Sequence, residues 1–242
     1  MVIDFDTVKF IIFDFDGVLF NGLDAIKAGV KNAIENYNLQ VDFDKAVQEI
    51  AALIQKLMSI PIPKMILSSY SLLKDLSFLE GMSFFKKLQV GLSIYQQYLK
   101  EVETAELYDG IPELLSILDS HGIKFGILTQ GLKASVIEKI QKFGIDQYFP
   151  EDLIVGASDV SPGHVKPDPE GIEIIAAKAG LQDDENMVMI GDMVVDIEAG
   201  KRAFNNKGVK TIGVISGYDN RISDSKPDLL LETATQILSH LH

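Results

Sequence analysis

VKFIIFDFDGVLF, at residues 8–20, is the stretch that determines the predicted fold of this 242-residue chain. Its first six residues form a nearly continuous apolar run, which is typical of a strand buried on both faces of a parallel sheet. Asp14 and Asp16 follow at once, and a spacing of two in an extended chain puts both carboxylates on one side. Gly17 then permits a sharp turn. Because ligands of doubly wound sheets bind at the carboxyl ends of strands, we expect a functional site here.

Later apolar runs resemble the first and are separated by segments of helical pattern. Strands that alternate with helices indicate parallel strands joined by crossover helices. The sequence therefore predicts an α/β fold with a doubly wound parallel sheet. The further predicted strands are IKFGILT at 123–129, DLIVG at 152–156, NMVMIG at 186–191 and VKTIGV at 209–214.

Residues 21–105 have a different period, because their apolar residues recur at helical spacing. Pro61 and Pro63 interrupt this pattern, and a shorter helix is expected over 64–74. The predicted longer helices span 23–37, 43–57 and 84–99. The pattern thus predicts two domains, a Rossmann-like α/β core of residues 1–20 and 106–242 and an inserted all-helical cap of residues 21–105.

The net charge of −13 lies outside the predicted cap. Residues 21–105 contain nine Lys, no Arg and nine Asp plus Glu, so the cap is neutral. The commonest meaning of an acidic charge is a solubilising surface. Nucleic-acid backbones are bound mainly through clusters of Lys and Arg, and the sequence shows no such cluster. We therefore expect no nucleic-acid partner.

Other simple features exclude further classes. The chain contains no Cys, so it forms no disulfide and no thiolate metal site. The opening MVIDFDTVKF lacks the basic residues followed by an apolar segment that are typical of a signal peptide. No apolar run reaches the roughly 18 residues of a membrane span. We expect a cytoplasmic protein without a membrane partner, and the sequence carries no signal for an oligomeric state.

Polar residues also stand at the ends of the later predicted strands. A hydroxyl and backbone amides at the start of a helix favour a bound anion. Each residue alone has an ordinary explanation, such as a helix cap for Thr129 or Asp192 and a loop charge for Lys166. The residues are Thr129, Gln130 and Gly131 after the second run, Lys166 after the third, and Asp192 and Asp196 after the fourth.

Together these strand ends resemble the four motifs of the haloacid dehalogenase superfamily, most closely its phosphoglycolate phosphatase-like branch with a helical cap. The resemblance covers residues 8–20 and 106–241. It implies a phosphatase that acts on a small phosphorylated metabolite, with Mg²⁺ as cofactor, Asp14 as nucleophile and Asp16 as acid/base.

The resemblance implies roles for the remaining residues as well. Thr129, with the nearby amides of Gln130 and Gly131, is expected to hold the phosphoryl oxygens. Lys166 is expected to neutralise charge on the nucleophile and the phosphate. The implied Mg²⁺ ligands are Asp14, the backbone carbonyl of Asp16, and Asp192, while Asp196 orders the lysine or a metal-bound water. Three positions depart from the usual pattern, namely Asn21, Gln130 and Phe204.

Elementary electrostatics supports these roles independently. A carboxylate does not attack a dianionic phosphate efficiently without screening, so the site needs a cation in addition to Lys166. Mg²⁺ prefers oxygen ligands, and the lack of Cys and of a suitable His pair disfavours zinc. Attack by Asp14 gives an aspartyl phosphate that water then cleaves. Asp16 must first donate and then accept a proton, which requires a raised pKa.

Several other interpretations of these residues are weaker. A calcium loop needs Gly at its sixth position and Glu at its twelfth, but Gly17 is fourth and Ala25 is twelfth. A dehalogenase lacks the second aspartate, and a phosphonate hydrolase usually has a small residue there. Asp4 and Asp6 repeat the Asp-Phe-Asp pattern without a preceding strand and are expected at a solvated terminus. His164 is expected in a surface loop.

Three alternatives stay open at this point. A sugar phosphomutase keeps all four motifs and typically has a cap arginine, for which Lys64, Lys86 or Lys87 could substitute. A phospho-accepting receiver domain is about half this length and has no insertion after its first strand. A non-catalytic binding protein is the third. We expect the neutral cap to be mobile and to select the substrate through its lysines.

Overall fold

The computed structural model describes residues 3–58, 73, 74, 76–181, 186–219 and 221–241. The chain folds into two compact units. The first comprises the residues up to Phe20 and from Leu107 onward, and the second comprises Asn21–Glu106.

The first unit contains a parallel sheet, which within the described residues has six strands in the order β3-β2-β1-β4-β5-β6. The central strand β1 pairs with β2 on one side and β4 on the other, with Ile12 opposite Gly126 and Met189. The predicted α/β fold with a parallel sheet is therefore confirmed. The strands are β1 Phe10–Phe13, β2 Lys124–Leu128, β3 Ile154–Val155, β4 Met187–Gly191, β5 Lys210–Val214 and β6 Leu229–Leu231.

Each predicted strand lies at its predicted place but is shorter, most clearly β3, where only two of the five predicted residues pair. The edge strand β6 was not predicted, because its three leucines are too few to show a period.

Helices in the described residues connect these strands and form the second unit. Their order follows the alternation read from the sequence. The helices are α1 Leu23–Tyr37, α2 Phe43–Met58, α3 Phe84–Val102, α4 Ile111–Ser120, α5 Lys133–Lys142, α6 Glu170–Lys178 and α7 Val194–Asn206.

Both faces of β1 are covered, which explains why its residues do not alternate between apolar and polar. On one face, Phe10 and Ile12 belong to a buried cluster with Ile172 of α6 and Ala199 of α7. On the other face, the ring of Phe13 packs edge-on against neighbouring rings. Its ring centroid lies 5.9 Å from that of Phe125 and 6.1 Å from that of Phe149.

The last turn of α7 is irregular at Phe204. This residue has a φ of +53°, in the left-handed region that favours glycine. The backbone N–H of Phe204 donates to Glu173 Oε1 at 2.9 Å, which supports the conformation. Phe204, which departs from the usual sequence pattern, therefore occupies a backbone conformation in which glycine would be less strained.

The second unit is helical in its described residues, and α1, α2 and α3 match the three longer predicted helices. Helix α1 packs against α2 and α3. A Cβ at Gly29 of α1 would lie 2.8 Å from the carbonyl oxygen of Ile94, so α1 and α3 approach closely there. Of the predicted helix over 64–74, residues 73 and 74 are described and are helical, while the remainder, like Pro61 and Pro63, lies outside the described residues. Among the helices described here, none has the length and apolar character that crossing a membrane requires.

Candidate active site

The candidate site lies where the strand order of the sheet reverses, between β1 and β4. This topological switch point is where doubly wound sheets bind ligands. Asp14 follows β1 directly, and its backbone N–H donates to the carbonyl oxygen of Ile190 in β4 at 2.8 Å. Asp192 follows β4 directly. The two carboxylates therefore stand side by side at the carboxyl edge of the sheet, and both are buried.

Gly17 allows the turn after β1 to lie directly against Asp192. It has a φ of +88°, and a Cβ built on it would lie 2.2 Å from Asp192 Oδ2. Its N–H donates to the carbonyl oxygen of Phe20 at 2.9 Å, which closes the turn that carries Asp16. Both the backbone angle and the lack of space require glycine at this position.

Lys166 brings three strand ends together. Its Nζ donates to Asp14 Oδ1 at 2.8 Å and to the carbonyl oxygen of Leu128 at 3.0 Å. The same Nζ lies 2.6 Å from Asp196 Oδ1. The first two contacts are hydrogen bonds, and the third is an ion pair. Lys166 is itself buried, so the contacts fix its charge next to Asp14.

The residues after β2 support this lysine and one another. Gln130 Nε2 donates to the backbone carbonyl oxygen of Lys166 at 2.9 Å. The N–H of Gly131 donates to Thr129 Oγ1, also at 2.9 Å, and the N–H of Thr129 donates to the carbonyl oxygen of Val155. The side chain of Gln130 and the amide of Gly131 are therefore engaged within the protein. The buried Thr129 hydroxyl accepts one hydrogen bond and donates to no acceptor among the residues that the structure describes.

The two aspartates near the start of α7 are bound differently. Asp196 Oδ2 accepts a hydrogen bond from the N–H of Met193 at 3.0 Å, while its Oδ1 faces Lys166. Asp192 Oδ2 accepts a hydrogen bond from Ser216 Oγ at 2.5 Å. Asp192 Oδ1 is buried and has no hydrogen-bond partner among the described residues.

The sequence also matches a known protein family. Residues 11–214 match the family model of the haloacid dehalogenase-like hydrolases. The chain belongs to this family. It is 32% identical over 135 residues to pyrophosphatase PpaX of Halalkalibacterium halodurans, a match that spans 55% of this chain and 59% of that protein. The match thus covers less than two thirds of that relative's length.

Solved structures show the same fold as this chain. A crystal structure described as a predicted phosphoglycolate phosphatase from Haemophilus somnus 129PT has a TM-score of 0.67 and 22% identity, and the alignment covers 96% of this chain and 97% of that one. A candidate β-phosphoglucomutase from Bacteroides vulgatus has a TM-score of 0.59 and 20% identity, with 96% of this chain and 88% of that one covered.

The charges of this site do not balance when its carboxylates are ionised. Carboxylate oxygens of Asp14, Asp192 and Asp196 lie within 4.8 Å of one another, and all three residues are buried. Lys166 supplies one positive charge to this group. Three ionised buried carboxylates and one ammonium carry a charge of about −2, which costs several kcal/mol per unpaired ion unless a cation binds or protons are taken up. The donor set therefore fits a divalent cation with oxygen ligands, such as Mg²⁺.

The pKa values show the same deficit of positive charge. Burial raises the pKa of Asp14 from 3.8 to about 7, although Lys166 opposes this. Burial, followed by repulsion from Asp14 and Asp196, raises the pKa of Asp192 well above its ordinary value. Burial alone would lower the pKa of Lys166, but Asp14 and Asp196 raise it overall. The lysine therefore keeps its charge, and the carboxylates require more positive charge than it provides.

Asp16 has a different electrostatic environment from Asp14. Burial raises the pKa of Asp16, and the attraction of Lys139 and then of Lys166 opposes the rise. Lys139 Nζ lies 4.0 Å from the ring centroid of Phe20, at the end of the turn that carries Asp16. A carboxyl group with a raised pKa suits a group that must first donate and then accept a proton.

Two residues near the site were not found from the sequence. Ser216 lies just beyond β5, so the rule that points to strand ends would have found it, although a single serine gives no motif. Lys139 lies on α5, and its proximity to Asp16 depends on how that helix packs.

The remaining polar candidates of the sequence have ordinary roles in the structure. His164 Nδ1 lies 3.2 Å from Asp168 Oδ2 and 3.2 Å from Glu170 Oε2, and its side chain is exposed, so the predicted surface loop is confirmed. Asp4 and Asp6 are also exposed, as expected for a solvated terminus.

Proposed function

We propose that this chain is a Mg²⁺-dependent phosphatase that hydrolyses a small phosphate monoester through a phosphorylated Asp14. The observation that carries the proposal is the pairing of Asp14 with Lys166 beside Asp192 Oδ1, an oxygen with no hydrogen-bond partner in the described part of the chain. Lys166 places a positive charge next to the Asp14 carboxylate, and Asp192 is a second carboxylate that can bind a metal cation nearby. Positive charge on both sides would allow Asp14 to attack an anionic phosphate.

In the first step, Asp14 Oδ2 attacks phosphorus, because Oδ1 is bound to Lys166. The bond between phosphorus and the ester oxygen breaks, and Asp16 gives its proton to the leaving alcohol. The Thr129 hydroxyl donates to a phosphoryl oxygen, and the Lys166 ammonium neutralises charge on the same group. The products of this step are the free alcohol and an aspartyl phosphate on Asp14.

In the second step, Asp16 accepts a proton from water, and the water oxygen attacks the phosphorus of the aspartyl phosphate. The bond between phosphorus and Asp14 Oδ2 breaks, which releases inorganic phosphate and restores the carboxylate. Asp16 ends the cycle protonated and ready to act as an acid again. Its raised pKa is compatible with both roles.

The residues that would hold Mg²⁺ are Asp14, the backbone carbonyl of Asp16 and Asp192, while Asp196 would order Lys166 or a metal-bound water. The ion would supply positive charge against the phosphoryl oxygens during both steps. Asp192 Oδ1 supports this assignment, because no described residue donates to it and a buried carboxylate oxygen without a donor is costly.

We also propose that residues 21–105 act as a cap that selects the substrate. This unit has a helical architecture of its own. Lys86 Nζ lies 4.4 Å from the ring centroid of Tyr37 within the unit, and Lys87 is partly buried, while Lys64 lies outside the described residues.

A sugar phosphomutase of the same family is the second candidate, and a phospho-accepting or binding protein without turnover is the third. The mutase is weakened because residues 21–105 contain no arginine for a second phosphate. The likeness to a candidate β-phosphoglucomutase concerns the fold alone.

One assay separates these candidates. Purified protein is incubated with phosphoglycolate, inorganic pyrophosphate, sugar phosphates, nucleotides and phosphoamino acids, with Mg²⁺ or with EDTA, and both inorganic phosphate and isomeric sugar phosphates are measured. The proposal requires Mg²⁺-dependent release of phosphate from at least one monoester. Isomerisation without release would establish the mutase, and the absence of turnover would support a binding protein.

A further inference from the structure

Ser216 lies next to the candidate site on the loop that follows β5. Strand β5 pairs with β4 in parallel, with Gly213 opposite Gly191. Residues just beyond both strands therefore meet at the same edge of the sheet. This places Ser216 beside Asp192, which follows Gly191 directly.

Two hydrogen bonds fix the orientation of the Ser216 hydroxyl. Its Oγ accepts a hydrogen bond from the backbone N–H of Tyr218 at 3.1 Å, a bond that the left-handed Gly217 makes possible, with a φ of +93°. The backbone N–H can only donate, so the hydroxyl uses a lone pair there. Its hydrogen is directed to Asp192 Oδ2, at an oxygen–oxygen distance of 2.5 Å.

This bond makes the two oxygens of Asp192 different. Oδ2 is held by Ser216 and lies against Gly17, where even a Cβ would be 2.2 Å away. Oδ1 is buried and has no hydrogen-bond partner among the described residues. Oδ2 is therefore already engaged by a donor, while Oδ1 has no donor among the described residues.

We propose that Ser216 is a positioning residue that presents Asp192 Oδ1 to the divalent cation. The inference rests on the proposed function for the existence of that cation. Groups that hydrogen-bond to a metal ligand fix its orientation, and their loss typically weakens metal binding about 10-fold to 100-fold. A hydroxyl that donates to a carboxylate makes a charge-assisted bond, which is stronger than a neutral one.

The test compares Ser216→Ala, Ser216→Thr and a matched control, Ser225→Ala. Ser225 Oγ also donates a hydrogen bond of 2.5 Å, but to the backbone carbonyl oxygen of Ile222 and not to a carboxylate. Mn²⁺ binding to each full-length protein is measured by electron paramagnetic resonance of the free ion, with Mg²⁺ as competitor. Circular dichroism confirms that each variant is folded.

Ser216→Ala is expected to raise the Kd for Mn²⁺ about tenfold or more. Ser216→Thr keeps the hydroxyl at a partly exposed position and should stay within about threefold of wild type, and Ser225→Ala should match wild type. With a turnover substrate, Ser216→Ala should need more Mg²⁺ for half-maximal rate but approach the wild-type kcat at saturating Mg²⁺. A purely structural role would lower kcat at every Mg²⁺ concentration.

Two outcomes would overturn the proposal. The first is a Kd of Ser216→Ala within about twofold of wild type, and the second is an equal loss in the alanine and threonine variants. A wild-type protein that binds Mn²⁺ but hydrolyses no phosphate ester would refute the proposed function and leave the role of Ser216 to be judged by these Kd values. A wild-type protein that binds no Mn²⁺ would refute the role of Ser216 directly.

Discussion

Lys166 Nζ lies 2.8 Å from Asp14 Oδ1, although 152 residues separate them in the sequence. Both side chains are buried, so the pair is little screened by solvent. The same ammonium reaches Asp196 Oδ1 at 2.6 Å. One lysine thus holds the carboxyl ends of distant strands in a single arrangement.

Replacing this lysine should harm both stability and activity. Lys166→Met removes the only cation that contacts Asp14 among the described residues and leaves buried carboxylates unpaired. Breaking a buried pair from one side costs about 3–5 kcal/mol, and loss of a preorganised charge at the phosphoryl group lowers kcat about 100-fold or more. Urea denaturation without Mg²⁺ and steady-state kinetics measure the two effects.

Lys124→Met provides the matched control for that variant. Lys124 Nζ also pairs with an aspartate, Asp119, at 3.1 Å, but both side chains are exposed. An exposed pair contributes about 0–1 kcal/mol, so this variant should be close to wild type. Equal losses of stability in the two variants would contradict the importance of burial for the Lys166 pair.

Gly17→Ala should be more harmful than an alanine at another left-handed glycine. The φ of Gly17 is +88°, and the new Cβ would lie 2.2 Å from Asp192 Oδ2. Gly122 has a φ of +78°, but a Cβ added there would meet no atom within 4 Å. Gly122→Ala should therefore lose only about 1–2 kcal/mol through the backbone.

Gly17→Ala should lose that amount and, in addition, its affinity for Mg²⁺, because the clash displaces Asp192. Isothermal titration with Mg²⁺ and thermal denaturation measure both quantities. If both variants lost equal stability and Gly17→Ala still bound Mg²⁺ normally, the close approach of the turn to Asp192 would be incorrect.

The pKa of Asp14 predicts a pH dependence for the metal-free protein. On folding it rises from 3.8 to about 7, so the folded protein binds more protons than the unfolded chain between these values. Stability therefore falls as the pH rises through this window and levels off above about 7. The elevated pKa of Asp192 acts in the same direction.

Mg²⁺ binds ionised carboxylates, so its affinity should fall as the pH drops below about 7. Thermal denaturation with EDTA and with Mg²⁺, at pH 5 to 8, checks both statements. The stabilisation by Mg²⁺ should grow with pH in the wild type and should be small throughout in Asp192→Asn. A stabilisation that did not change with pH would contradict the assignment of these carboxylates as ligands.

The cap lysines make a separate prediction about substrate choice. Replacing Lys64, Lys86 and Lys87 by Ala one at a time should change the ranking of kcat/KM across the phosphate-ester panel in at least one case, because an anionic ester needs cations around the acidic core. Lys27→Ala is the control, since Lys27 pairs with Asp24 at 3.2 Å on an exposed surface. Wild-type ranking in all three variants would exclude selection by these lysines.

Local sequence patterns were sufficient for most of the fold. The run FIIF of β1 is buried on both faces, so its continuous hydrophobicity identified it as a strand. The polar residues after β1, β2 and β4 were found because ligands bind at the carboxyl ends of strands. Strand β6 was missed, since three residues at the edge of a sheet show no period.

Features that depend on side-chain direction could not be predicted. The sequence suggested Gln130 as a neighbour of the phosphate, but the direction of its amide toward the Lys166 carbonyl depends on how two loops pack. Ser216 was missed for the same reason, because its importance arises from one hydrogen bond to Asp192. The proximity of Lys139 to the Asp16 turn likewise requires the position of a whole helix.

Chemical trapping of Asp14 is the measurement that tests the central claim most directly. Enzyme, Mg²⁺ and a turnover substrate are quenched during steady state and treated with borohydride, which reduces an aspartyl phosphate to homoserine, and the peptides are analysed by mass spectrometry. The account predicts homoserine at position 14 when substrate and Mg²⁺ are present, and none with EDTA. The Asp16→Asn variant should give more homoserine if the substitution slows cleavage of the aspartyl phosphate more than its formation. The Asp14→Asn variant should show neither turnover nor trapping. Trapping at another residue, or sustained phosphatase activity in Asp14→Asn, would contradict it.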